Sequence, residues 1–139
     1  MGNKLTEEAE VLFRQIHPNF MQDGEPSSDR FRPSEKDANM LSVDRSAVIT
    51  ADISHALYTS NGLASAAVFG LTVGEFAQET ITCVEDAIDA TEAAVANPAH
   101  ALADYSAHTL KQQKLIAKKL KRAAIARGRL HPPQDDKSG

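Results

Sequence analysis

The chain has no tryptophan, a single cysteine, and aromatic residues at only 5% of its 139 positions. Each shortage excludes something. Cys83 alone closes no internal disulfide and forms no cysteine-pair metal site, which fits a reducing compartment and predicts a cytoplasmic protein. No apolar run approaches the roughly 20 residues of a membrane span. Lys4 is followed at once by Glu7, Glu8 and Glu10, an order unlike the basic-then-apolar run of a secretion signal. With few rings and many alanines, the core is expected to be thin and built from small aliphatic side chains. The length suits one domain with one core. We expect a single α+β domain over residues 1–130, followed by a polar tail over 131–139.

Charge, at 24%, is ordinary in amount but unevenly divided by sign along the chain. Net charge is −4, yet Lys111 to Arg129 holds eight basic residues and no acid, leaving −12 on the rest. On a helical wheel Ile116, Ala117, Leu120, Ala123 and Ala124 share one arc. Lys111, Lys114, Lys118, Lys119, Lys121 and Arg122 take the opposite side. Thr109 to Arg127 therefore reads as a long amphipathic helix closed by Gly128, with its basic face toward solvent. Such a face suits an acidic protein partner or a nucleic-acid backbone. The alanine-rich stripe lacks the large side chains that enter membranes, so no membrane contact is expected. With no aromatics nearby to stack on bases, the protein partner is the preferred reading.

The most varied stretch lies near the start. Arg14-Gln15-Ile16-His17-Pro18 leads into Asp23-Gly24-Glu25-Pro26-Ser27-Ser28, then Phe31-Arg32-Pro33, and on to Leu41-Ser42-Val43. Arginine offers a fixed fork of donors for phosphate or carboxylate, and histidine exchanges a proton near neutrality. Arg14, His17, Asp23, Ser27, Ser28 and Arg32 are the candidate ligand-binding residues, with Arg14, His17 and Ser42 the candidates for any catalysis. The plainer reading makes Asp23-Gly24 a turn and the serines local caps. No Gly-rich phosphate loop follows from Gly62, Gly70 and Gly74, which lack the spacing and the lysine. The five histidines are scattered, so no metal site and no cofactor are expected.

Secondary structure follows from punctuation and period. Leu5 to Gln15 suggests a short helix capped by Thr6 that passes into a strand ending at Pro18, although Val11 to Ile16 reads equally as strand. Residues 18–40 hold three of the six prolines and read as a long loop pinned by Phe20, Phe31 and Met40. Leu41 to Asp44 is a strand, and a helix starts at Thr50 and stops at Asn61-Gly62. Ala66 to Val73 is an apolar strand expected at the centre of a sheet. Gly74 to Glu79 is a turn or short helix, Thr80 to Val84 a strand, Asp86 to Ala96 an alanine-rich helix, and Ala101 to Ser106 a last strand. The sum is a small mixed sheet with a long C-terminal helix, an α+β fold.

The quoted strings carry a resemblance. An Arg-Gln-(Ile or Val)-His-Pro start, an Asp-Gly-x-Pro-(Ser or Thr)-Ser loop, a Phe-x-Pro step and a Leu-Ser-Val strand resemble a group of short, uncharacterised bacterial proteins. The likeness covers about the first third and implies a bacterial cytoplasmic setting and a shared fold. A second likeness is to enzymes of the ADP-ribosyltransferase fold. It would place Arg14 or His17 against a nicotinamide dinucleotide, Ser42 on a second strand and Glu85 on the ribose. The expectation is a binding or accessory protein acting through protein contacts. The alternatives are nucleotide- or NAD-using chemistry at Arg14, His17 and Ser42, and nucleic-acid binding by the last helix.

Overall fold

The computed structural model describes residues 2–133. Five antiparallel strands form one sheet: β1 (Val11–Ile16), β4 (Met40–Arg45), β5 (Ala67–Thr72), β6 (Thr82–Glu85) and β7 (His100–Asp104). Their order is β5-β1-β4-β7-β6. A small hairpin of β2 (Met21–Gln22) and β3 (Glu25–Pro26) stands apart from it. Three helices complete the fold: α1 (Ala51–Ser60), α2 (Val73–Gln78) and α3 (Leu110–Arg127). This is the α+β class expected, with the long C-terminal helix in place. Every pairing in the five-stranded sheet is antiparallel.

Alternation along the strands sorts the two faces. Leu12, Ile16, Leu41, Val43, Phe69 and Leu71 point to one face and join Cys83, Ala101 and Ala103 in the core. Ile116, Ala117, Leu120 and Ala124 of α3 close that layer. α3 packs chiefly against β5 and the turn at Ser28–Phe31. The opposite face carries Phe13, Gln15, Ser42, Asp44 and His100, against which α1 packs.

α3 begins with a reciprocal cap: Thr109 Oγ1 accepts from Gln112 N–H, and Gln112 Oε1 accepts from Thr109 N–H. It ends at Gly128, whose φ of 95° suits glycine. Its buried side includes Gln113, which the wheel of apolar residues did not mark. Gln113 Nε2 donates to the carbonyls of Tyr105 and His108 and to Asn39 Oδ1, so the amide nitrogen of this buried residue is satisfied.

Four local expectations are corrected. Residues 5–10 form no helix: Leu5 donates its N–H to Cys83 and buries its side chain beside β6. Pairing with β6 outweighs the weak helical propensity of so short a segment. β5 lies at the sheet edge, not the centre. It reads as an interior strand because Leu130 and His131 bond its outer edge at Val68 and both faces are covered. Asp86 to Ala96 forms no helix either, because Ile88 bridges Asn97, Thr91 Oγ1 accepts from Ala93 and Ala94, and Val95 donates to Asn61. Tertiary bonds override the alanines. His131 to Pro133 is held to the sheet and to His55, 4.4 Å ring to ring, and the tail expected over 134–139 lies outside the described residues.

Residues 18–40 are ordered by local turns. 3₁₀ turns at Pro18–Phe20, Ser28–Phe31 and Glu35–Asp37 flank the β2–β3 hairpin. Asp23 and Gly24 at its tip both take positive φ, 54° and 82°, as a two-residue hairpin turn requires. Phe31 is fully buried under α3, and the Tyr105 hydroxyl donates to its carbonyl. Burial of that ring contributes about 2–3 kcal/mol, enough to anchor the loop.

Candidate functional site

β1 and β4 pair at Leu12↔Arg45 and Phe13↔Asp44 and then part. Continued register would put Gln15 opposite Ser42. Instead the Arg14 side chain occupies the opening: Nη1 donates to the Ser42 carbonyl at 3.1 Å, and Nε donates to the Arg30 carbonyl at 2.7 Å. A cavity of about 270 Å³ lies over this parting. Its floor is β1 and β4, and its walls are the end of α1 and the arm from Ile88 to Asn97.

A buried network fixes those walls to the floor. Ser54 of α1 donates to Asp44 Oδ2 at 2.7 Å and accepts from Gln15 Nε2 at 2.8 Å. Asn97 Nδ2 donates to Asp44 Oδ1 at 2.9 Å, and Ser65 donates to Gln15 Oε1. Asp44 is only 8% exposed, and both its oxygens accept from neutral donors, which keeps a buried carboxylate affordable without a cation. At the rim, Asn61 Oδ1 accepts from Val95 N–H at 3.2 Å.

The Arg14 guanidinium has no carboxylate within 4 Å among the described residues. Burial, and then the neighbouring Arg30 guanidinium, lower its pKa to about 10, so it stays charged at neutral pH while being poorly solvated. Arg30 stacks over Phe20, 4.9 Å from the ring centroid, and its Nε is buried with no partner. Two cations thus stand together with no acid bonded to either among the described residues. Toward solvent, Leu63, Ile88 and Val95 ring the mouth and are 50%, 40% and 46% exposed.

Comparisons with protein-family models, curated proteins and solved structures found no match.

The structure brings Arg14 and Ser42 together and leaves His17 out. His17 Nδ1 accepts from Asn19 N–H, and the ring meets Phe20 edge-on at 6.3 Å, a capping role. Ser27 accepts from Asp29 N–H, and Asp29 in turn pairs with Arg32 at 3.1 Å. Asp23, Ser27 and Ser28 line a separate polar crevice of about 700 Å³ together with Lys121 of α3. Glu85 pairs with Arg45 at 3.1 Å and accepts from Asn3 N–H, so it is committed elsewhere. The ADP-ribosyltransferase roles drawn from the likeness therefore do not assemble in one place. Asp44, Tyr58, Asn61, Asn97 and His100 line the cavity and were not among the candidate site residues. His100 turns Nδ1 to Asp86 Oδ2 at 3.0 Å, a contact 14 positions apart that no local spacing announces. Among the described residues no group of His, Cys, Asp and Glu is arranged to hold a metal, and no helix is long and apolar enough to cross a membrane.

The second surface is the outer side of α3. Lys119 reaches Glu79 at 3.5 Å and Lys121 reaches Glu25 at 4.0 Å. Lys111, Lys114, Lys118 and Arg122 pair with no carboxylate among the described residues. Leu115, 54% exposed, sits within their stripe. Through Lys121 this face adjoins the polar crevice of residues 19–28, so the opening of the chain and its last helix present one continuous surface.

Proposed function

We propose that this protein acts by binding an acidic protein partner through the outer face of α3. The observation that carries the reading is the stripe of four cations with no acid paired to them among the described residues, and an exposed leucine in its midst. Like charges on one face raise each other's energy, and an acidic partner relieves that cost while Leu115 gains apolar cover. Among the described residues, carboxylates reach only the flanks of this face, at Lys119 and Lys121.

The test is a pull-down from native lysate with wild type and with a Lys118→Glu/Arg122→Glu variant, at low and high salt. The reading expects a stoichiometric protein that wild type retains and the variant loses. Capture abolished by nuclease supports the nucleic-acid alternative instead. Capture that neither charge reversal nor salt alters sinks both. A second reading, small-molecule chemistry at Arg14 and Ser42, is favoured by their meeting at the cavity floor, and its ligand is considered next.

A further inference from the structure

We propose that the cavity between the parted strands β1 and β4, α1 and the 88–97 arm is a binding site for a small organic anion, a carboxylate or phosphate ester on an apolar body. The anionic end lies on the Arg14 guanidinium, and the apolar body lies under Leu63, Ile88 and Val95. This site is independent of the α3 surface.

Three observations converge on it. First, Arg14 holds its place through Nε and Nη1 on two backbone carbonyls. That leaves Nη2 with no partner among the described residues, on a residue that lines the cavity. Nε and Nη1 belong to different edges of the guanidinium, so Nη2, which both edges share, is the charged nitrogen left to donate to an oxyanion. The adjacent Arg30 adds a second positive charge, and the nearby Asp37 carboxylate offsets the pair only from beyond ion-pair distance.

Second, the polar groups around the cavity divide unevenly. Asp44, the one carboxylate in the lining, has both oxygens engaged by Ser54 and Asn97. Ser42 Oγ, the Tyr58 hydroxyl and the Asn61 amide nitrogen have no partner among the described residues, and all three can donate. The cavity therefore offers donors and withholds its acid. The hydroxyls can also accept, so what sets an anion above an amine here is the Arg14 charge together with the engaged Asp44.

Third, the mouth is apolar. Three half-exposed aliphatic side chains around a polar floor mark a ligand site more readily than a bare surface. At about 270 Å³ the cavity is near the small end of the range for ligand pockets, roughly 300–1,000 Å³. A compact anion fits it better than a dinucleotide does.

The experiment uses the full chain and a matched set of probes: hexanoate, hexyl phosphate, hexanol, hexylamine and inorganic phosphate. Binding is read by thermal shift and by calorimetric titration. Hexanoate or hexyl phosphate should bind saturably and raise the melting temperature, at least about tenfold tighter than hexanol or hexylamine. Which of the two is tighter distinguishes a carboxylate ligand from a phosphate one, and inorganic phosphate alone should bind weakly, lacking the body. Arg14→Met should erase the preference for the anion over hexanol. Val95→Asp, at an exposed rim position, should leave the melting temperature of the unliganded protein unchanged and weaken the anionic probe about tenfold. Lys118→Glu should have no effect. The proposal is overturned if no anionic probe binds saturably, if hexylamine or hexanol binds as well, or if neither Arg14→Met nor Val95→Asp alters binding.

Discussion

Arg14 donates to the backbone carbonyl of Ser42 at 3.1 Å, the carbonyl that a continued ladder between β1 and β4 would have paired. The guanidinium thus stands in for the missing rung and keeps the strands apart. Its pKa, lowered to about 10 by burial and by Arg30, says that the folded state disfavours this charge relative to water. Desolvating an unpaired cation costs several kcal/mol, and two hydrogen bonds return part of it. Arg14→Met is therefore expected to match or exceed wild-type stability, by about 0–2 kcal/mol in urea unfolding. A loss larger than about 2 kcal/mol would make Arg14 a brace of the sheet, and its claim as a ligand group would weaken.

Ser54 joins what the strands leave apart. It is fully buried, accepts from Gln15 and donates to Asp44. Ser54→Ala removes a partner from each at once, and a buried carboxylate short of a donor is the costlier loss. We expect about 2–4 kcal/mol of destabilisation. Asp44→Leu combined with Ser54→Ala should cost less than the two singles added, because the second change removes the group that the first left unsatisfied. Strict additivity in urea melts would show that the two side chains do not interact.

Which parts of this molecule were legible from sequence depends on how local their causes are. α3 was legible because its cap, stripe and stop all lie within its own residues, and Asp23-Gly24 reads as a turn for the same reason. Gln113 was not, since its burial depends on carbonyls contributed by the preceding turn and on Asn39. The arm over 86–96 misled because its alanines favour helix, while its bonds to Asn61 and across to Asn97 are tertiary. Arg14 and Ser42 were visible as residue types, but their meeting depends on a strand pairing that stops early. His17 looked equivalent to Arg14 in the string, yet the proline after it turned the chain into a 3₁₀ step and left the histidine capping its own backbone.

The end of α3 is tied to α2 by Arg127, which meets Glu75 through both nitrogens at 2.9 and 3.0 Å and also reaches the Gly70 carbonyl. Burial would raise the Glu75 carboxyl, but Arg127 and the Thr72 cap outweigh it and hold the pKa below the usual carboxylate range. A depressed folded-state value contributes stability above the unfolded pKa, near 4.3 for glutamate, that is lost as pH falls through the folded one. Glu75→Gln should therefore be less stable than wild type by about 1 kcal/mol at neutral pH, a figure kept small by partial exposure. The gap should narrow as the medium is acidified below about pH 4. A gap independent of pH would assign the loss to the cap geometry and not to charge.

Cys83 gives a probe of how the sheet opens. The thiol is 1% exposed, and burial, with the nearby Glu10 carboxylate adding to it, pushes its pKa up to about 12. The thiolate is the reactive form, so a disulfide reagent at mildly alkaline pH should find almost none in the native protein and one equivalent after unfolding. The rate of native labelling then reports the opening that exposes β6. Two openings are available. Residues 3–5 cover the outer edge of β6 through Leu5 to Cys83 and Glu85 to Asn3, and peeling them away uncovers the edge alone. Cys83 points instead into the core beneath α3, so its sulfur stays covered until the helix leaves. Labelling should therefore accelerate with urea at the slope of global unfolding. A shallow dependence on urea would mean that the N-terminal cover, and not α3, is what shields the thiol.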